Sequence, residues 1–271
     1  MPFATAGSRR IHYAVLGEPG APPLLLIMGM SFSSRAWDAL PGRLAGRFRV
    51  ILFDNAGTGR SDPPSDALSM ATMAADAVAV LDAEGIACSH VFGISMGGMI
   101  ALHLVLRHPE RVAALVLGAT FAGWRRSLKP TLRTQMDLLV GNARARRGRG
   151  LGPLASVLVS RDFLAAPEGG LAAFASFLSR AEPATPRIVL RQLGAILRHD
   201  TDSRLATIAK PTLVITGDAD RLVPPGNSAK LARSIPGSRL VELPGAGHCF
   251  PLERPDESAR HLLEFLEANP A

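Results

Sequence analysis

Ser95 sits in the stretch VFGISMGGMIALHL, Val91 to Leu104, where an apolar run gives way to a helical pattern. A serine that merely packs in a core needs no glycines around it, yet Gly93, Gly97 and Gly98 surround this one. A sharp strand-to-helix turn accounts for them. Such a turn forces the residue at its apex into strained dihedrals and brings backbones so close that side chains at Gly93 or Gly97 would clash. The spacing therefore reads as a hydroxyl presented for nucleophilic attack. The motif alone is thin, because the chain's own Gly and Ser frequencies give about 0.2 chance matches of GxSxG in a protein of this size.

A serine hydroxyl is a poor nucleophile at neutral pH unless an imidazole takes its proton, and that imidazole needs a carboxylate to fix its tautomer. Both follow downstream. TGDADRLVPP (Thr216 to Pro225) carries Asp218 and Asp220, and LPGAGHCFPLERP (Leu243 to Pro255) carries His248. Asp220 is the expected acid, since it lies farther into its loop, whereas Asp218 follows Gly217 directly and suits the turn's own amides. The other place for an acid, after the strand that follows the serine's helix, reads Gly118-Ala119-Thr120 and has no carboxylate. A tetrahedral oxyanion needs backbone donors. The expected ones are the amides of Met96 and of Met30, the latter in the MGMS loop. Gly29, Phe121 and Phe250 are the expected substrate contacts.

Other chemistry-bearing residues have plainer readings. His103 and His108 are expected to pack or cap, His199-Asp200 to end a helix, and Asp54 to shape its own turn. Met28, Met30, Met96 and Met99 suit an apolar acyl pocket and ordinary core filling equally.

The elements that must carry these residues follow from pattern and punctuation. Strands are expected at Arg10 to Gly17, Pro23 to Met28, Phe48 to Asp54, His90 to Ser95, Val112 to Gly118, Pro211 to Gly217 and Ser238 to Pro244. Helices are expected at Ser34 to Ala45, Ser69 to Glu84, Met96 to Arg107, Gly226 to Ser234 and Pro255 to Glu267. Alternation of this kind predicts an α/β fold: a mostly parallel sheet with helices on both faces, beginning with an antiparallel hairpin. Ligands of such sheets bind at the carboxyl ends of the strands. Between Phe121 and His199 the rhythm breaks into short helical patterns, TLRTQMDLLVGNA, PLASVLVS, EGGLAAFASFLSRA and PRIVLRQLGAILRH, read as a helical cap over the strand ends. The expected organisation is residues 1–120 and 201–271 as two parts of one core, with the cap at 121–200.

Composition narrows the rest. The 271 residues are 47% hydrophobic, but apolar stretches such as Leu24 to Met28 fall far short of the ~20 residues of a membrane span. The N-terminus lacks the order of a secretory signal, so a cytoplasmic home is expected. Cys88 and Cys249 have no CxxC partner and read as reduced thiols. No metal or cofactor is expected. The net charge is +7, yet only RARRGR, Arg144 to Arg149, forms a run, without interleaved aromatics. It reads as a solvated loop, with neither a nucleic-acid nor a membrane partner expected.

Taken together, PLLLIMGM, ILFDNAGTGRSD, VFGISMGGMIALHLVLRHPERVAALVL, PTLVITGDADRLVP and PGAGHCFPLERPDE resemble the α/β-hydrolase superfamily. Within it they are similar to small capped enzymes such as 3-oxoadipate enol-lactonases, aclacinomycin-type methylesterases and cofactor-free haloperoxidase or perhydrolase esterases. The resemblance covers nearly the whole chain outside the cap. It implies the α/β-hydrolase fold, with Ser95 as nucleophile, His248 as base, Asp220 as acid and Met30 and Met96 as oxyanion donors. It implies a small-molecule ester or lactone substrate, no cofactor, and room for a homodimer. Relatives commonly carry His-Gly where this chain has Met28-Gly29, and Arg or Pro in place of Ala56. The second departure removes an anchor for a carboxylate-bearing lactone. Dehalogenases and epoxide hydrolases, with Asp at the nucleophile, are excluded by Ser95. A carbon-carbon bond hydrolase, a perhydrolase and a silent ligand receptor would all preserve the same residues.

Overall fold

The computed structural model describes residues 2–65, 67–167 and 169–270, apart from the side chain of Arg146. Its eight strands are β1 (Phe3–Ala6), β2 (Arg9–Leu16), β3 (Pro23–Ile27), β4 (Arg49–Phe53), β5 (Ser89–Ile94), β6 (Val112–Gly118), β7 (Thr212–Gly217) and β8 (Arg239–Leu243). They form one sheet in the order β1-β2-β4-β3-β5-β6-β7-β8. Pairing is antiparallel for β1 with β2 and for β2 with β4, and parallel across the rest of the sheet.

The parallel strands are near-continuous apolar runs because both faces are covered. Alternation still sorts the side chains. Leu25 and Ile27 of β3, Val91 of β5 and Leu115 and Leu117 of β6 point into one core. Leu24 and Leu26, Phe92 and Ile94, and Ala114 and Val116 point into the other. The first core is closed by α2 (Met70–Ala83), α3 (Met96–Arg107) and α9 (Gly226–Ser234). The second is closed by α1 (Leu40–Leu44), α10 (Phe250–Glu253) and α11 (Pro255–Glu267). Each fully buried Leu, Ile or Val on these faces contributes about 1.5–3 kcal/mol, so the two-sided sheet is the main source of stability.

Between β6 and β7 lie α4 (Leu132–Arg146), α5 (Gly152–Leu158), α6 (Arg161–Ala165), α7 (Gly170–Arg180) and α8 (Pro186–Arg198). These match the short helical patterns of the sequence; Glu168, which opens one of them, lies outside the described residues. The helices meet loops at the carboxyl ends of three strands. Ile188 of α8 abuts Gly57 after β4, Ala181 O accepts from Ser33 N after β3, and Leu158 O accepts from Cys249 N after β8.

Three expectations are corrected. The opening hairpin is made by β2 with β1, a four-residue strand, FATA, that periodicity does not mark. The helix expected over Ser34 to Ala45 is broken into a 3₁₀ turn (Ser34–Trp37) and α1, because Asp38 takes a positive φ of 51°. Arg180 Nη2 holds the Asp38 carboxylate there at 2.7 Å. The run Arg144 to Arg149 is not wholly a loop, since α4 extends through Arg146 before the chain turns. Among the described residues no helix is long and apolar enough to cross a membrane.

One buried group has a cost that can be read out. His90 on β5 is wholly buried, edge-on to Phe48 with centroids 5.6 Å apart, and neither ring nitrogen has a hydrogen-bond partner among the described residues. Burial pushes its pKa from 6.5 down to about 4. The unfolded chain therefore takes up this proton at a higher pH than the folded one. Stability is full above about pH 6.5 and is lost as pH falls from there toward 4. His90→Leu removes the titrating group, so its melting temperature is expected to drop less between pH 7.5 and pH 5 than that of the wild type. Equal drops in calorimetric scans would show that His90 carries none of the acid sensitivity.

Candidate active site

Ser95 caps α3 in a conformation few residues adopt, with φ 56° and ψ −121°. A non-glycine residue held there costs on the order of 1–3 kcal/mol and needs surroundings that over-determine it. They are present. Ser95 N donates to Gly118 O at 2.8 Å, and Ser95 O accepts from Gly98 N at 3.0 Å and from Thr120 Oγ1 at 2.7 Å. The glycines are explained by contact. A Cβ on Gly93 would lie 2.2 Å from Gly97 O, one on Gly97 2.0 Å from Ile27 O, and one on Gly98 2.6 Å from Thr120 Cγ2.

The half-buried Ser95 side chain faces the loop after β3. A Cβ on Gly29 would sit 3.2 Å from Ser95 Cβ and 3.7 Å from its Oγ, so a side chain there would crowd the space beside the hydroxyl. The amides of Met30, in that loop, and Met96, first in α3, donate to no acceptor among the described residues. Met96 belongs to the four helix-start amides that have no intrahelical partner.

At the end of β8, His248 Nδ1 lies 2.8 Å from Asp220 Oδ2, with both residues buried. An ionised carboxylate only accepts, so Nδ1 carries the hydrogen and Nε2 keeps its lone pair. Asp220 is itself fixed, because its Oδ1 accepts from the amides of Leu222 and Val223, each at 2.8 Å. Asp218, expected to bind the amides of its own turn, instead reaches the neighbouring loop after β8, where its Oδ1 accepts from Gly245 N at 2.7 Å. The two loops are joined by Ala219 N donating to Ala246 O. Ser95 Oγ makes no hydrogen bond within 3.5 Å to any described residue, the imidazole included. Such bonds tighten when a substrate is bound.

The two phenylalanines expected as substrate contacts are both buried. Phe250 is wholly buried, its Cζ 3.3 Å from where a Cβ on Gly118 would lie. It fills the core behind the strand ends. Phe121 belongs to the opposite core, tilted against Trp124 and His199. Both border the strand ends.

His103 and His199 do pack. His199 Nε2 donates to Phe121 O at 3.1 Å, which leaves Nδ1 to accept from His103 Nε2 at 3.3 Å. Burial pushes both down to about 4, so the neutral pair ties α3 to the end of α8. His108 caps α3. Asp54 shapes its turn through Arg60 N, and also accepts from Ser34 N and meets His12 Nδ1.

Several residues escaped the sequence reading. Asn55 Nδ2 donates to Met28 O at 2.8 Å, and Gln192 Oε1 accepts from Ser31 N at 2.8 Å. Glu253 accepts from Gly247 N and from Ser160 N, both at 3.0 Å, and so clamps the His248 loop to the cap. A signal existed only for Gln192: it falls at helical spacing among Ile188, Ala195 and Ile196, the inward side of α8. Cys88 and Cys249 are free thiols, and burial pushes the Cys249 thiol far up. Among the described residues no group of three or more His, Cys, Asp or Glu is placed to hold a metal.

A family model for the alpha/beta hydrolase fold matches residues 22–255. A protein that bears the name carbamate hydrolase RutD, from Azorhizobium caulinodans, is 34% identical over 98% of both chains. Among solved structures, the enol-lactonase from Burkholderia xenovorans superposes with a TM-score of 0.83 at 25% identity, covering 98% of this chain and 100% of that one. A thermophilic esterase from Thermogutta terrifontis gives a TM-score of 0.80 at 26% identity, covering 100% and 99%. With the strained serine turn, the parallel sheet and a match over most of the sequence, the chain belongs to the α/β-hydrolase fold family.

Proposed function

We propose that the protein is a serine hydrolase that cleaves a carboxylic ester or lactone of a small or medium apolar acid through an acyl-enzyme on Ser95. The observation that carries this reading is the Asp220–His248 hydrogen bond, which leaves Nε2 free as a base at the rim where the strained Ser95 turn lies. Ser95 attacks the carbonyl carbon while its proton passes to His248 Nε2. The oxyanion accepts from the amides of Met30 and Met96, and Asp220 stabilises the imidazolium. His248 then protonates the departing alcohol. Water, deprotonated by the same nitrogen, releases the acid. No step calls for a cofactor.

A second reading comes from the relatives named carbamate hydrolases, at 34% identity in the case above. The same attack on a carbamate carbonyl gives a carbamoyl-enzyme with the same donors. A matched series of aryl esters, a lactone and aryl carbamates separates the two by kcat/KM.

A fluorophosphonate probe is expected to label the wild type and not Ser95→Ala; an unlabelled wild type would end the proposal. Asp220→Asn gives a sharper test of the mechanism. The two amides hold the Oδ1 side, so the new NH₂ faces His248 Nδ1 and drives the proton to Nε2, the tautomer that cannot act as base. The expected fall in kcat is about 10³- to 10⁴-fold with KM little changed, followed as ester hydrolysis. A loss under tenfold would show that Asp220 does not set the tautomer.

A further inference from the structure

The loop from Met28 to Ser33 carries the Met30 amide, and it is anchored from two sides. From the core, Asn55 Nδ2 holds Met28 O at 2.8 Å. From the cap, Ala184 N donates to Ser31 O at 2.6 Å, Ala181 O accepts from Ser33 N at 2.9 Å, and Gln192 Oε1 accepts from Ser31 N at 2.8 Å. Two of the cap bonds use backbone groups that any side chain would leave in place. Only Gln192 supplies a side-chain atom. It holds the residue next to Met30, and Ser31 has a φ of 79°, a conformation that a non-glycine residue keeps only under restraint.

Gln192 is wholly buried. Its amide can face Ser31 one way only, because an N–H must meet the oxygen. That orientation leaves Nε2 buried with no partner among the described residues, which is unfavourable. Packing does not account for a glutamine at this place, since methionine or leucine would fill the volume without an orphaned donor. Accepting the Ser31 N–H is what an apolar side chain cannot do.

We propose that Gln192 is a positioning residue: through the Ser31 amide it sets the direction of the Met30 N–H, so that the cap completes the oxyanion site. This rests on the reading of Ser95, Met30 and Met96 given above. An interaction that serves the tetrahedral state more than the bound ester lowers kcat when it is removed and leaves KM nearly unchanged.

The test compares Gln192→Met, which keeps the volume and loses the acceptor, with Gln192→Glu, which keeps an oxygen toward Ser31. Gln192→Met is expected to lower kcat between about 10- and 100-fold, less than loss of a whole oxyanion donor, with KM within about twofold. Its affinity for phenylboronic acid, whose serine adduct is tetrahedral, should fall by a similar factor, while its melting temperature stays close to that of the wild type, since the orphaned Nε2 is removed as the Ser31 N–H loses its acceptor. Amide exchange in residues 28–33 should quicken in Gln192→Met and be restored toward wild type in Gln192→Glu, together with activity. An unchanged kcat, a loss confined to KM, or unchanged exchange at Ser31 overturns the proposal. If fluorophosphonate fails to label the wild type, the hydrolase reading falls by itself; the exchange measurement still decides whether Gln192 holds the loop.

Discussion

The site depends on how closely three stretches of backbone are allowed to approach. A Cβ on Gly97 would lie 2.0 Å from the carbonyl oxygen of Ile27, and one on Gly93 2.2 Å from that of Gly97. The start of α3 therefore rests directly on the ends of β3 and β5, with no side chains as spacers. That contact brings the loop after β3 against Ser95, where Gly29 leaves the hydroxyl its space. The strain at Ser95, with φ 56°, lies at the same contact.

Much of this was legible in the sequence because it is local. Glycines at 93, 97 and 98 mark a turn through sterics alone, and the apolar runs that end at Ile27, Ile94, Gly217 and Leu243 put their loops at one edge of a parallel sheet. The choice of Asp220 over Asp218 was legible for a related reason. Asp220, farther into its loop, meets His248, whereas Asp218, next to the strand end, binds Gly245 N across to the loop after β8. What could not be read is set by packing across long separations. Phe121 and Phe250 border the right strand ends, yet their rings turn into opposite cores. β1 is held by its register with β2, and FATA carries no periodicity to announce it. The break at Asp38 is met by an ion pair with Arg180, 142 residues away.

The buried polar groups fall into two kinds. Asp54, Asp220 and Glu253 each accept two backbone amides from irregular chain, so each carboxylate fixes the shape of a segment that has no regular structure. His90, His103 and His199 are kept neutral by burial and hold helices and strands in place. The carboxylates set geometry near the site. The imidazoles make the fold as a whole less tolerant of acid.

The clamp formed by Glu253 bears on how such folds can be recombined. Its two oxygens bridge Ser160 of the cap and Gly247 of the histidine loop, while Leu158 O takes the amide of Cys249. The insertion is therefore stitched into the walls that it covers and is not an exchangeable lid. A chimera grafting these helices onto another scaffold would have to transplant residues 245 to 253 with them, so that the insertion and the placement of His248 are inherited together.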